Sequence, residues 1–208
     1  SEEYFTDLET TASASKWESV GHTRRAGCVV PLFSVFSSTS IGSGDFSDLK
    51  RMVDWTHQSG LSIIQLLPMN DVGSAFCPYD SCSSFALEPM YMVIPELAHA
   101  KDKPIKAKIN ELKEAYPAGK EFVDYGVKHA KLILLREICK RQTAFDAPKF
   151  QHFRQDNSYW LQDYALFKVL KEYHEGRPWY EWEDQYKNRD PEALESFRKY
   201  HDEEIMFQ

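Results

Sequence analysis

Between Gln65 and Tyr91 the sequence gathers the side chains best suited to chemistry. Asn70, Asp71, Tyr79, Asp80, Ser81, Ser83 and Ser84 lie around Pro78. Short polar groups of this kind hydrogen-bond to hydroxyls, and a tyrosine ring offers a flat face on which the C–H side of a pyranose stacks. The segment follows an apolar run that reads as a strand, and in (β/α) architectures ligands bind at the C-terminal ends of strands. A long surface loop built from turn formers has the same composition, so the residues alone leave both readings open. Asp71 and Asp80 invite a role as paired carboxylates. A retaining pair must face each other about 5 Å apart across the scissile bond, and sequence spacing does not establish that.

Other chemistries find weaker support. Gly42-Ser43-Gly44 lies between a predicted strand and a predicted helix, but Ser47 stands where a dinucleotide fingerprint needs its third glycine. No acidic residue ends the second strand to hold a ribose. Cys77 and Cys82 do not have the Cys-x-x-Cys spacing of zinc or redox sites. His57, His99, His129, His152, His174 and His201 show no metal-ligand spacing on one helix and read as surface groups. No Gly-x-Ser-x-Gly elbow marks an α/β-hydrolase nucleophile.

These residues need a scaffold. Cys28 to Val35 is an apolar, β-branched run and predicts a strand, buried on both faces as in parallel sheets. Asp45 then caps a helix carrying Phe46, Leu49, Met52, Val53 and Trp55 at helical spacing, and Gly60 closes it. Leu61 to Leu67 predicts a second strand, stopped by Pro68. Strand, helix and strand with short joints make one βαβ unit with parallel strands. The turn-rich segment 70–84 comes next, then at most one short strand within 85–94. Beyond Pro95 the pattern is helical: 106–116, 123–142, 158–174, and a last helix capped by Asp190 with Pro191 at its first position. Residues 1–23 read as a tail or linker. Two strands followed by helices look like an unfinished sheet, so exposed strand edges are expected.

Composition narrows the partners. The 208 residues carry a net charge of −7, with 42% hydrophobic and 14% aromatic residues. An acidic chain lacks the basic footprint for nucleic acid or an anionic membrane. No apolar run approaches the roughly 20 residues of a membrane span. No charged n-region precedes an apolar h-region. The four cysteines read as free thiols of a reducing compartment. The expected location is cytoplasmic.

Several ordered motifs carry a family resemblance. Arg25-Ala26-Gly27, Ile41-Gly42-Ser43-Gly44-Asp45-Phe46 and Gln65-Leu66-Leu67-Pro68-Met69-Asn70-Asp71 resemble the amylomaltase or disproportionating-enzyme family of 4-α-glucanotransferases, glycoside hydrolase family 77. Cys77-Pro78-Tyr79 with Ser83-Ser84-Phe85-Ala86 and Pro89 is similar to that family's Ser-Pro-Tyr loop. Trp160 to Phe167, then Gly176-Arg177-Pro178-Trp179 and Trp182, resemble its inserted helical region.

The resemblance implies a (β/α)₈ TIM barrel with a large helical insertion. Residues 24–94 would be its start, holding the first two strands and the substrate loop, and 95–208 the helical insert. It implies retaining transfer of α-1,4-glucan segments between malto-oligosaccharides, starch or glycogen-derived glucans, with no organic cofactor or metal required. The family's catalytic carboxylates lie on later strands, so no catalytic residue is carried over to this chain. Tyr79 matches the tyrosine that packs against bound glucose. Pro78, Cys77, Asn70, Asp71 and Ser83 complete the expected substrate-binding set, with loop positioning the favoured role for Asn70 and Asp71. Cys77 departs from the usual Ser, Glu88 from the frequent Asn, and Ser74 from an aromatic of a secondary glucan site in some members. Tyr159, Trp160, Tyr164 and Phe167 read as packing of the insert. Trp179 and Trp182 also fit a groove wall. The competing functions are a non-catalytic maltodextrin-binding module and an amylase-like hydrolase fragment.

Overall fold

The computed structural model describes residues 7, 10–21, 24–141 and 147–208. Strand β1 (Gly27–Val30) pairs in parallel with β2 (Ile63–Leu66), with Gly27 opposite Ile63 and Val30 opposite Leu66. Helix α2 (Phe46–Gln58) connects them, as the βαβ reading expects. Both strands are shorter than expected. Pro31 has no N–H to offer a ladder, and the chain passes at once into a 3₁₀ turn at Leu32–Ser34. The expected third strand within 85–94 is reduced to a single bridge between Asn70 and Leu87, and 3₁₀ turns at Pro89–Tyr91 and Ile94–Glu96 follow.

Burial on both sheet faces does not occur. Both strands alternate exposed and half-buried residues, and Val29 and Ile63 are 65% and 44% exposed. Among the described residues no further strand joins this two-stranded sheet. The same shortage affects α2. Phe46 and Leu49 pack against the core, whereas Val53 and Trp55 face outward.

The start of α2 is fixed by side chains. Asp45 accepts from the backbone N–H groups of Ser47 (2.8 Å) and Asp48 (3.3 Å), and Asp48 accepts in return from Asp45 N–H at 3.1 Å. These bonds satisfy three backbone donors at the helix start, the kind of N–H groups a phosphate would otherwise need. Gly44 is obligatory there, because a Cβ would lie 1.9 Å from the Val35 carbonyl oxygen. Gly60, at φ +74, closes the helix in the left-handed conformation glycine favours.

The remaining elements are helices. A short helix α1 (Ala14–Val20) forms inside the stretch read as a tail; residues 1–6, 8, 9, 22 and 23 of that stretch lie outside the described residues. Downstream come α3 (Lys103–Ala115), α4 (Gly126–Lys140), α5 (Pro148–Asp156), α6 (Ser158–Tyr173), α7 (Asp184–Lys187), α8 (Pro191–Tyr200) and α9 (Asp202–Phe207). The predicted end of α4, Gln142, lies outside the described residues. Helix α5 buries no side chain, so it has no apolar stripe for a periodicity reading to find. Asp190 caps α8 as expected, accepting from Ala193 N–H at 2.9 Å, but the last helix breaks at His201 rather than running on.

Two apolar cores form among the described residues. The first joins Leu32, Ile41, Met90, Tyr91 and Ile94 to Ile105 and Ile109 of α3 and to Val127, Leu134, Leu135 and Ile138 of α4. It therefore crosses the expected boundary between residues 94 and 95, where the insert was to begin. The second joins Leu166, Val169 and Leu170 of α6 to Trp182 and to Leu194 and Phe197 of α8. Trp182 is part of that core, so its ring is not an open groove wall, while Trp179 stays exposed. His174 corrects the surface reading of the histidines. It is buried, stacks on Trp182 at 4.8 Å, and places its ring nitrogens against the Leu170 carbonyl and the Glu183 carboxylate.

Candidate functional site

The segment after β2 closes into a loop with a narrow neck. Asp71 N–H donates to the Ala86 carbonyl (2.9 Å) and Glu88 N–H to the Met69 carbonyl (2.9 Å). Beyond this neck, Cys82 N–H returns to the Asp71 carbonyl at 2.8 Å, and Asp80 N–H donates to the Cys77 carbonyl. The tip therefore makes a turn around Pro78. Tyr79 stands on it, 73% exposed, with Cys77 and Asp80 also exposed. A ring held out on a braced turn, beyond the C-terminal end of a parallel strand, suits stacking on a sugar face.

The other expected site residues serve the loop itself. Ser83 is half-buried, and its hydroxyl accepts from Phe85 N–H (3.1 Å) and Ala86 N–H (3.0 Å). Asn70 bridges to Leu87 at the neck. It shares a shallow cavity with Pro78, Phe76, Tyr125, Glu88 and Lys128. Asp71 is fully buried, and each of its oxygens is engaged by the protein. Oδ1 accepts from Gly73 N–H at 2.8 Å, with Lys128 Nζ 3.6 Å away. Oδ2 accepts from the Tyr164 hydroxyl at 2.6 Å and from Lys168 Nζ at 2.7 Å. This is the geometry of a positioning residue. It leaves Asp71 no free lone pair aimed at solvent, and it removes Asp71 as a partner for Asp80 in a carboxylate pair.

Electrostatics follow from this burial. Burial alone would raise the Asp71 carboxyl. The Lys168 ammonium, the Tyr164 hydroxyl and the Gly73 N–H together hold it well below the usual carboxylate range instead. The Tyr164 phenol is pushed well above its ordinary range by burial and by its bond to Asp71. The Cys82 thiol, which donates to the Asp71 carbonyl at 3.2 Å, is pushed up by burial and by the Asp71 charge. Cys77 and Cys82 are both free thiols.

A second buried carboxylate holds the other side of the neck. Glu88 accepts from Lys128 Nζ at 2.7 Å, from Val72 N–H at 3.2 Å and, through Oε1, from Met90 N–H at 3.2 Å. Lys128 also donates to the Gly73 carbonyl at 2.6 Å. Close by, Lys131 is 1% exposed and donates to the Met90 carbonyl at 2.9 Å. Burial pushes its ammonium down to about 8, although Asp45, Asp48 and Glu88 pull the other way.

Aromatic rings flank the loop. Phe76 stacks on Tyr125 at 4.2 Å, and Phe85 stacks on Trp160 at 5.5 Å with Tyr159 edge-on. The sequence reading missed Lys128, Lys131, Lys168 and the role of Glu88. For Lys131 a signal was present: it sits in the stripe Val127, Lys131, Leu134, Ile138 that α4 turns to the core. Among the described residues no cluster of three or more His, Cys, Asp or Glu side chains is placed to hold a metal ion. No described helix is long and apolar enough to cross a membrane.

Comparison with known proteins agrees with this picture. The sequence profile of the 4-alpha-glucanotransferase family, glycoside hydrolase family 77, matches residues 30–208. The chain is 32% identical to a 4-alpha-glucanotransferase of Chlamydia pneumoniae over 202 residues, covering 94% of this chain and 38% of that protein. It is 36% identical over 167 residues to 4-alpha-glucanotransferase DPE2 of Oryza sativa, covering 76% of this chain and 17% of that protein. A solved structure, the amylomaltase from Streptococcus agalactiae in complex with acarbose, superposes with a TM-score of 0.68 at 22% identity, over 88% of this chain and 37% of that one. The chain thus spans about 38% of the length of the chlamydial relative. It belongs to the 4-alpha-glucanotransferase family, of which it represents part of a catalytic domain.

Proposed function

We propose that this chain supplies the substrate-loop part of a 4-α-glucanotransferase that moves α-1,4-glucan segments between malto-oligosaccharides. Its two parallel strands are the first two of a (β/α)₈ barrel, and the apolar faces of Val29 and Ile63 are where further barrel elements pack. The observation that carries the reading is Tyr79, an exposed ring on a braced turn past the end of β2. In this role the Tyr79 ring stacks on a glucose unit. Pro78 sets the turn, Cys77 borders the subsite, and Asn70, Asp71 and Ser83 fix the backbone that carries them. Cys77 is a weaker hydrogen-bond donor than the family's serine, so stacking rather than hydrogen bonding dominates this subsite.

The chemistry is retaining transfer. A carboxylate outside this chain attacks the anomeric carbon and a second protonates the departing sugar oxygen, breaking the glycosidic bond. The same second group then takes the proton of an acceptor sugar hydroxyl, which displaces the enzyme carboxylate and forms the new glycosidic bond. No cofactor or metal enters these steps. The partners are malto-oligosaccharides and starch- or glycogen-derived glucans.

The test is maltotriose supplied to the full-length protein. Glucose together with maltodextrins longer than the substrate is the expected product set. Hydrolysis without chain lengthening would move the protein to an amylase-like activity. Maltodextrin binding with no turnover would make it a non-catalytic binding module.

A further inference from the structure

The rings and cations around the loop come from two helices, and they are arranged in register. On α6, Trp160, Tyr164 and Lys168 are four residues apart, so they form one stripe along successive turns. Trp160 stacks on Phe85, while the Tyr164 hydroxyl and Lys168 Nζ both reach Asp71 Oδ2. At the start of α4, Tyr125 and Lys128 are three apart. Tyr125 stacks on Phe76, and Lys128 reaches Glu88 and the Gly73 carbonyl. The loop is therefore gripped from two sides, each grip made of one aromatic stack and one ion pair.

The charges balance. Two carboxylates, Asp71 and Glu88, meet two ammonium groups, Lys128 and Lys168, and every side chain is at most 17% exposed. Lys168 and Asp71 lie 97 residues apart in sequence, and Lys128 and Glu88 lie 40 apart. Buried ion pairs are often matched or exceeded in stability by apolar residues of similar volume. What they add is a choice of partner, because a carboxylate or ammonium left buried without its counter-ion is costly.

We propose that Tyr164, Lys168 and Lys128 are positioning residues through which the helical insert sets the placement of Tyr79 and so the affinity of the glucan subsite. The clamp acts at the neck, and the tip between Asp71 and Glu88 is carried as one piece. This assignment rests on the glucan-transfer reading for its effect on substrate, but not for its effect on the loop.

The experiment uses the full-length protein with Tyr164→Phe, Lys168→Met and Lys168→Arg. Tyr164→Phe keeps the ring beside Trp160 and removes one bond to a charged acceptor. Its expected effect is a rise in KM for maltotriose of about tenfold, with kcat changed less than about twofold. Combined with Tyr79→Ala it should add almost nothing, since both act on one subsite. Lys168→Arg should recover most of what Lys168→Met loses. Additive losses in the double variant, or a lowered Tm with an unchanged KM, would make the clamp a plain stabilising contact and overturn the proposal. Amide hydrogen exchange supplies an arm independent of activity. Lys168→Met should speed exchange between Val72 and Ala86 by tenfold or more, in the sense of local opening, while α8 is unchanged. If Lys168→Met does not fold, Tyr164→Phe is read the same way, with a smaller increase. Loop exchange equal to the parent's would overturn the clamp even in an active enzyme. A loosened loop in a protein that never transfers glucan would uphold the clamp and reject the functional reading.

Discussion

The sheet and the loop invert the usual relation between polarity and burial. Strands β1 and β2 carry Val29, Val30, Ile63, Ile64 and Leu66, yet Val29 and Ile63 face outward. The neck of the loop is built from Asp71, Glu88 and their lysines, yet these groups are buried and paired. An apolar strand face open to water is a surface that another element or a partner could cover. A buried charge network with its hydrogen bonds satisfied marks a local structure that is already finished. Among the described residues the sheet is thus left uncovered while the neck of the loop is closed.

Removing one charge from the neck should have the largest effect. Asp71→Ala leaves Lys168, and in part Lys128, buried without its counter-ion, which costs about 3–5 kcal/mol. Urea unfolding at neutral pH reads this as a large fall in midpoint. The folded Asp71 carboxyl lies below its unfolded value of 3.8. Its contribution is therefore fully present above that value and fades as the pH falls towards the folded value. A midpoint shift no larger than that of a surface substitution would dissolve the contrast between loop and sheet.

Next comes a pH effect at Lys131. Its folded value near 8 lies below the unfolded 10.5. Between these values the unfolded chain holds a proton that the folded chain has released, so stability rises with pH across this window. Measured against Lys131→Met, the parent should gain roughly 3 kcal/mol from pH 8 to pH 10.5. A flat difference would mean that the ammonium is far better solvated than its burial indicates.

The smallest effect belongs to the sheet. Ile63→Ser in this chain should change stability by no more than about 0.5 kcal/mol, because the side chain is open to water. In the full-length protein, where the proposed barrel neighbours cover β2, the same change should cost about 2–3 kcal/mol. Equal small values in both would remove the argument that this face is a barrel interior.

Local signals carried much of the scaffold. Asp45 with Asp48, Gly60, Pro68, Asp190 and Pro191 mark starts and stops that depend on their immediate neighbours, and the parallel pairing follows from the short strand–helix–strand order. The loop was legible as polar with one aromatic stacking face, and Tyr79 was singled out by the family resemblance; its exposure comes from the fold. The clamp was not, because Lys128 and Lys168 look like ordinary solvated helix positions until the fold brings them to partners 40 and 97 residues away. His174 was hidden for the same reason: its burial depends on Trp182 and Glu183 closing over it. Sheet burial failed in the opposite direction, since apolar strands state a need for cover that the described residues do not meet.

The central claim is that the turn at Pro78 and Tyr79 binds an α-1,4-glucan. It is tested most directly by the maltotriose kinetics of full-length protein carrying Tyr79→Ala, beside Tyr200→Ala, an exposed ring at the end of α8, as a control away from the loop. Loss of one stacking face should raise KM by about tenfold or more, equivalent to about 1.4 kcal/mol of binding, with the control near the parent. A KM for Tyr79→Ala equal to the parent's would take the loop out of the glucan site and contradict the account.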